Sequence, residues 1–358
     1  MAMEVYGRPV SEQLIAKLTR SPEIELWGMV KRCPGTEPRK LNREPTHSSL
    51  GLLGILPTEL LFNVLEFLDF PSLFRLMRVS LSWKIVVEAL PAYAALRKHV
   101  PWELNTLGYT GVIKYYTVSA LYGVLLSQKC VSCFEFGGFL FLPTCERICF
   151  ACLLHNQAYW MFTIEMAQEC FLLTDKHAHT LPTLRVIPGA YFVGEQHTQR
   201  WPISLVSVKQ AKQLANKVHG SSQMTAIKYI ERKPPIRSPT YQLMHHISLN
   251  PPGCDLSRVR LKSLPVRDGY CGTAAIRFPH VRAGQIDKGH LCRGCEYISR
   301  NFDSLPDRIK AQIVPRGIDK SIPLRAMTTR LRSRRGFIDH IASCYGVKCL
   351  LAEEVLRS

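Results

Sequence analysis

The sequence predicts a mainly α chain with small β elements, an α+β arrangement in which three short helices precede a metal-stabilised C-terminal domain. Three observations carry that expectation. Residues 56–90 place apolar side chains at helical spacing. Residues 130–152 hold five of the chain's 13 cysteines, four of them in two Cys-x2-Cys pairs. Hydrophobic residues make up 46% of 358, which suits a chain with a packed core and not a mostly disordered one.

Residues 1–50 mix Gly35, Pro34, Pro38 and Pro45 with many charges. They read as a disordered leader or linker with one short helix near Glu12–Leu18. Glu4, Arg8 and Glu12 sit where a secretory signal would need an apolar run. The longest apolar stretch, around Val118 to Leu126, is too short to span a bilayer. A soluble intracellular protein, cytoplasmic and/or nuclear, is expected, and in that reducing compartment clustered thiols point to metal or catalysis and away from disulfides.

The pattern sharpens at "LGILPTELLFNVLEFLDFPSLFRLMRVSLSWKIVVEAL". Pro57 is tolerated in a first helical turn and Thr58 can cap. Leu60, Leu61, Val64, Leu65 and Leu68 then recur at spacings of three and four. Asp69 and Pro71 restart a second helix with Leu73, Leu76 and Met77 inward. Ser80 or Ser82 can cap a third, bearing Trp83, Val86, Val87 and Leu90, and Pro91 ends it. Three such helices bury little among themselves, and the apolar surface left over implies a partner.

This stretch resembles the F-box, over residues 51–99, through its "LPTELLFNVLEFLD" opening, its "SLFRLMRVSLSWK" continuation and the tryptophan. The resemblance implies docking onto the SKP-family adaptor of a cullin-RING ubiquitin ligase. Leu56 and Pro57 would begin the contact, and Leu60, Leu61, Val64, Leu65, Leu68, Leu73, Val79 and Trp83 would continue it. An ordinary helical hairpin packed on its own C-terminal domain is the competing reading.

Residues 100–358 read as one cysteine-rich recognition domain. Residues 100–126 are expected to be helical, as is most of Asn156–Leu173. "SLVSVKQAKQLANKVHG" predicts a helix with a Ser207–Gln210 capping box, an inward face of Ala211, Leu214, Ala215 and Val218, and a stop at Gly220. Residues 231–270 are rich in proline and basic residues and read as loop. No internal repeat is visible.

Cys130-x2-Cys133 and Cys149-x2-Cys152 are two knuckles of the kind that hold tetrahedral zinc. Between them, Gly137 and Gly138 suit a tight turn, and alternating Phe and Leu suit a small strand. Cys145, the fifth thiol, lies outside both pairs and reads as a core residue. A thioredoxin-like pair would need a βαβ unit, and none is evident. A RING domain would need a ligand histidine between the pairs, whereas His155 follows Cys152.

A second pair, Cys292-x2-Cys295, lacks two ligands. His340 and Cys344, four apart and so on one helical face, can supply them, with Gly346 ending that helix. His290, Cys271 and His280 compete for the role, and core thiols with a surface histidine are the bland alternative. One or two structural zinc ions are therefore expected.

From residue 50 to 350 the chain also resembles a group of fungal F-box proteins. The likeness rests on "CxxC…FLFLPTxER…CxxCL" after the F-box, then "LVSVKQAKQLA", "CRGC" and a late F-x2-H-x3-C in that order. What this group binds does not follow from the resemblance.

No Ser-His-Asp order, phosphate-cradling glycine loop or His-x-Glu beside a cysteine pair is present, and zinc with four protein ligands is closed to substrate. A non-catalytic adaptor is expected. The net charge of +18 leaves a second reading, a zinc-stabilised nucleic-acid binder using Arg330, Arg332, Arg334 and Arg335. No tract interleaves basic and aromatic residues for base stacking, so a solvated basic surface is the simpler account.

Overall fold

Asp69 and Ser80 punctuate the first helices as their sequence positions suggest. The computed structural model describes residues 4–20, 49–193, 195–220, 270 and 272–355. A 3-10 turn over Gly51–Ile55 leads into helices Thr58–Glu66, Phe70–Val79 and Leu81–Ala89. The Asp69 carboxylate accepts from the Ser72 N–H at 2.7 Å, and the Ser80 hydroxyl accepts from the Trp83 N–H at 3.2 Å. Thr58 does not cap: Pro57 occupies the cap position, and its carbonyl accepts the first helical bond from Leu61. Pro91 ends the third helix and also begins the next, Pro91–His99, where its missing N–H costs nothing.

Helices Pro101–Tyr109 and Val118–Leu126 follow. Leu61, Leu65, Phe70, Leu73, Trp83 and Val87 bury inward, and their core runs on through Leu96, Leu107 and Leu121 to Leu140 and Phe141. Packing is thus continuous across residue 99. The short helices lean on the cysteine-rich region to hide what they cannot hide from one another.

Strand Phe139–Phe141 is the middle of a three-stranded antiparallel sheet, between Glu146–Ile148 and Ala275–Arg277. It is buried on both faces. Gly137 and Gly138 serve close approach instead of a turn: a side chain at Gly137 would strike Arg147, and one at Gly138 would strike Leu331.

A second small sheet centres on Ser204–Ser207, flanked by Met161–Thr163 and Thr183–Arg185. Residues 161–163, expected to be helical, pair as a strand because Phe162 and Val206 belong to one apolar cluster with Phe171 and Ala211. Helix Val208–His219 stops at Gly220, φ +87°. Its capping box does not form. Ser207 is already the last residue of a strand, and Gln210 donates instead to the Pro143 carbonyl at 2.9 Å.

The leader reading needs correction at residues 4–20. Hairpin strands Glu4–Val5 and Arg8–Pro9, helix Glu12–Leu18 and strand Thr19–Arg20 fold against the C-terminal part of the chain. Val5, Leu14, Ile15 and Leu18 share a core with Ile298, Phe337, Ile341 and Val347. Burying each such side chain is worth roughly 1.5–3 kcal/mol, which the short periodicity around Glu12–Leu18 could not reveal by itself. Residues 21–48 and the expected loop over 231–269 lie outside the described residues. Among the described residues, no helix is long and apolar enough to cross a membrane.

Candidate functional site

The helix Thr58–Glu66 carries two apolar rows. Leu61 and Leu65, four apart, are buried. Leu60 and Val64, also four apart but rotated by one position, are 52% and 56% exposed. One residue step turns a helix side chain by about 100°, so neighbours in sequence part company in space. Around the outward row, Ile55, Leu56, Phe67, Val79 and Ile85 are also exposed. So many large apolar side chains open to solvent on one helical unit mark a surface that another protein covers.

This divides the ten residues read as adaptor contacts. Leu56, Pro57, Leu60, Val64 and Val79 are exposed, and Leu68 is partly buried. Leu61, Leu65, Leu73 and Trp83 are core residues, each 5% exposed or less, and support the face from beneath without being part of it. The helical stripe read from sequence merged an inner row with an outer one.

The first cysteine cluster is built by a knuckle and a helix start. Between Cys130 and Cys133 the chain turns tightly: the Cys130 N–H donates to the Glu135 carbonyl at 2.7 Å, and the Phe134 N–H to the Cys130 carbonyl at 3.0 Å. Phe134 takes the left-handed conformation, φ +63°. Cys149 caps helix Phe150–His155, its Sγ accepting from the Cys152 N–H at 3.4 Å. The four sulfurs of Cys130, Cys133, Cys149 and Cys152 all lie within 4.8 Å of one another, with Cys133 and Cys149 at 3.5 Å. Hydrogen bonds from the other three thiols, Cys133 first, hold Cys130 far below the ordinary thiol value. A thiolate is the form that binds metal.

Cys145 is outside the cluster. It sits at the hairpin turn with φ +52°, and burial, with Glu146 beside it, pushes its thiol up to about 12.

Sequence reasoning missed Arg147, which locks the first cluster in place. Its guanidinium is buried and donates to the carbonyls of Val124 (2.8 Å), Gly137 (2.6 Å), Phe278 (3.0 Å) and Pro279 (2.7 Å). Its own carbonyl accepts from the Val131 N–H inside the knuckle at 2.9 Å. The only sequence signal was an arginine inside an apolar run.

The second cluster joins three elements. Cys292 ends a strand, Cys295 lies in the first turn of helix Arg293–Arg300, and His340 is on helix Arg334–Ser343. Cys344 is that helix's C-cap residue, one position past its last turn. The ligand atoms of these four again lie within 4.8 Å of one another, with Cys292 and Cys344 sulfurs at 3.9 Å and Cys295 Sγ at 3.2 Å from His340 Nε2. Hydrogen bonds from Cys292 and Cys295 hold Cys344 well below the ordinary thiol value.

Gly346 does not end a helix. It lies in the next one, Tyr345–Val355, where any side chain would collide with the backbone of Gly294. His290 stacks on Phe337 at 5.2 Å, and His280 pairs with Asp287 in a hairpin, so neither joins the cluster. Cys271 lies outside the described residues.

Both sets fit a tetrahedral ion. Bonds of about 2.3 Å to sulfur give tetrahedral edges of about 3.8 Å, close to the 3.5 and 3.9 Å sulfur separations. Four thiolates, and three thiolates with one imidazole, are donor sets suited to zinc, and four protein ligands leave no open position for chemistry.

The four arginines of the basic cluster are partly spent on the fold. Arg330 pairs with Glu135, and Arg334 with Glu12.

Comparison with protein families matches the F-box domain to residues 53–93. The matched span covers the three helices bearing the exposed apolar face. No curated protein and no solved structure matches the chain.

Proposed function

We propose that the chain is a non-catalytic substrate-recognition subunit of an SCF-type cullin-RING ubiquitin ligase, working in the cytoplasm and/or nucleus. The observation that carries this reading is the outward row of Leu56, Leu60, Val64 and Val79 on the helices that match the F-box domain. F-box domains in general dock onto SKP-family adaptors of such ligases, and an unpartnered apolar face on this unit supports the same role here.

In this reading the two cysteine clusters hold one structural zinc ion each, through Cys130, Cys133, Cys149 and Cys152 and through Cys292, Cys295, His340 and Cys344. When bound, zinc supplies cross-links between segments far apart in sequence and no reactive site. The order of cysteine motifs after the F-box supports placing the chain with the fungal F-box group that shares it.

Co-expression with an SKP-family adaptor tests the proposal. A stable one-to-one complex on size exclusion, joined by a cullin in a pull-down, is expected. A chain that elutes alone at micromolar concentration contradicts it.

A further inference from the structure

A cleft of about 500 Å³ opens between the two cysteine clusters. Phe134, one residue past Cys133, stands on one wall, and His340 of the second cluster on another. Lys129, Leu331 and Arg332 line it between them, and Asp339 lies at its rim. Its size is within the range of about 300–1,000 Å³ typical of ligand sites.

The backbone of this cleft is unusual. Lys129 pairs antiparallel with Phe136, and the bonds belong to its neighbours: Gly137 N–H to the Gln128 carbonyl at 2.9 Å and Cys130 N–H to the Glu135 carbonyl. The N–H and C=O of Lys129 therefore turn away from that partner. On the opposite wall, His290 and Arg332 exchange both bonds, at 2.8 and 3.0 Å, which turns the N–H and C=O of Leu331 away from His290. Neither residue makes a backbone hydrogen bond among the described residues. Leu331 is only 6% exposed, and buried backbone groups are rarely left unpaired.

Charge sets the kind of chain that fits. Lys129 and Arg332 form no ion pair among the described residues, and exposed Arg335 lies beside the lining residues Ser333 and Gly336. Phe134, 70% exposed, adds an apolar contact. We infer that this cleft binds an extended acidic peptide segment, which adds as a strand to the open edges of Lys129 and Leu331 and sets its carboxylates on Lys129 and Arg332. The inference rests on the ligase reading insofar as that segment belongs to the substrate. The backbone N–H and C=O groups of Lys129 and Leu331, which an amide backbone can pair with and a phosphate backbone cannot pair with in register, favour a peptide.

The test uses the full chain loaded with zinc and a fluorescein-labelled decapeptide alternating Glu with Leu and Thr, read by anisotropy. Tenfold or greater preference over the same peptide with Lys in place of Glu is expected. N-methylation of alternate backbone nitrogens should weaken binding at least tenfold, as should the double variant Lys129→Glu/Arg332→Glu. That variant should keep its metal content and its adaptor binding. Equal binding of acidic and basic peptides, or indifference to N-methylation, overturns the inference. Tighter binding of a single-stranded oligonucleotide of equal charge also overturns it. A chain that binds the acidic peptide but no adaptor sinks the ligase reading alone, and the reverse sinks the cleft alone.

Discussion

Thr19 pairs with Cys292 in antiparallel register, so the first cysteine of the second cluster is held by the N-terminal segment. Two more bonds tie the same segment down: the Tyr6 hydroxyl donates to the Cys344 carbonyl at 3.1 Å, and Arg293 donates to the Lys17 carbonyl at 3.2 Å. Removing residues 1–20 should therefore cost the second metal. Metal analysis by mass spectrometry should fall from about two zinc ions per chain to one. Two ions retained would show that the C-terminal elements assemble the cluster unaided.

The thiols of the first region should not be equivalent. Structural zinc contributes an apparent ~10–16 kcal/mol in small zinc-finger peptides, enough to hold a short hairpin closed. Cys149→Ser removes both a cluster thiol and a helix cap, and should expose Phe139 and Phe141 to protease in the region of residues 128–155. Cys145→Ser should do far less, since that sulfur lies outside the cluster. Limited proteolysis of the two variants separates them, and equal sensitivity would mean the wrong fourth ligand has been assigned.

Arg147→Met roughly keeps the volume of the side chain and strips the carbonyls of Gly137, Phe278 and Pro279 of their guanidinium donor, while the Val124 carbonyl keeps the Ser127 N–H at 3.2 Å. Each buried carbonyl left unpaired costs on the order of 1–3 kcal/mol, so the variant should lose several kcal/mol even with zinc in excess. Thermal unfolding monitored by circular dichroism checks this. A melting temperature within two or three degrees of the parent would assign the carbonyls other partners.

Asp69 gives a pH-dependent contribution with a definite sign. Hydrogen bonds from Ser72, its hydroxyl first and then its N–H, hold the Asp69 carboxyl below the usual carboxylate range. A depressed carboxyl stabilises the fold above its unfolded value and loses that contribution as pH falls through the folded value. Asp69→Ala should cost about 1 kcal/mol at neutral pH. The gap between variant and parent should close on acidification below the ordinary carboxylate range, as followed by urea unfolding; a gap that widens there would reverse the assignment.

Much of this was legible in the sequence because the signals were local. Helix starts at Asp69 and Ser80, and the helix over Glu12–Leu18, follow from one side chain and its next three neighbours. Three Cys-x2-Cys pairs, with His340 and Cys344 four apart, likewise name the residues whose ligand atoms the fold gathers, within each cluster, within 4.8 Å. What was not legible depends on distant partners. Leu60 and Leu61 have the same chemistry, and only the packing of Leu61 on the core tells them apart. Residues 4–20 gain their order from the C-terminal core, and Arg147 from carbonyls of three separate segments. Ser207 and Gln210 satisfied a local capping rule, but a strand and the Pro143 carbonyl engaged them first.

The outward row on the first F-box helix tests the central claim most directly. Leu60→Asp/Val64→Asp puts two charges on the exposed face and leaves Leu61 and Leu65 in the core. Co-purification with an SKP-family adaptor is the measurement, alongside a thermal melt to show that the fold survives. The account predicts adaptor recovery reduced at least a hundredfold with an unchanged melt. Recovery at the parent's yield would contradict it.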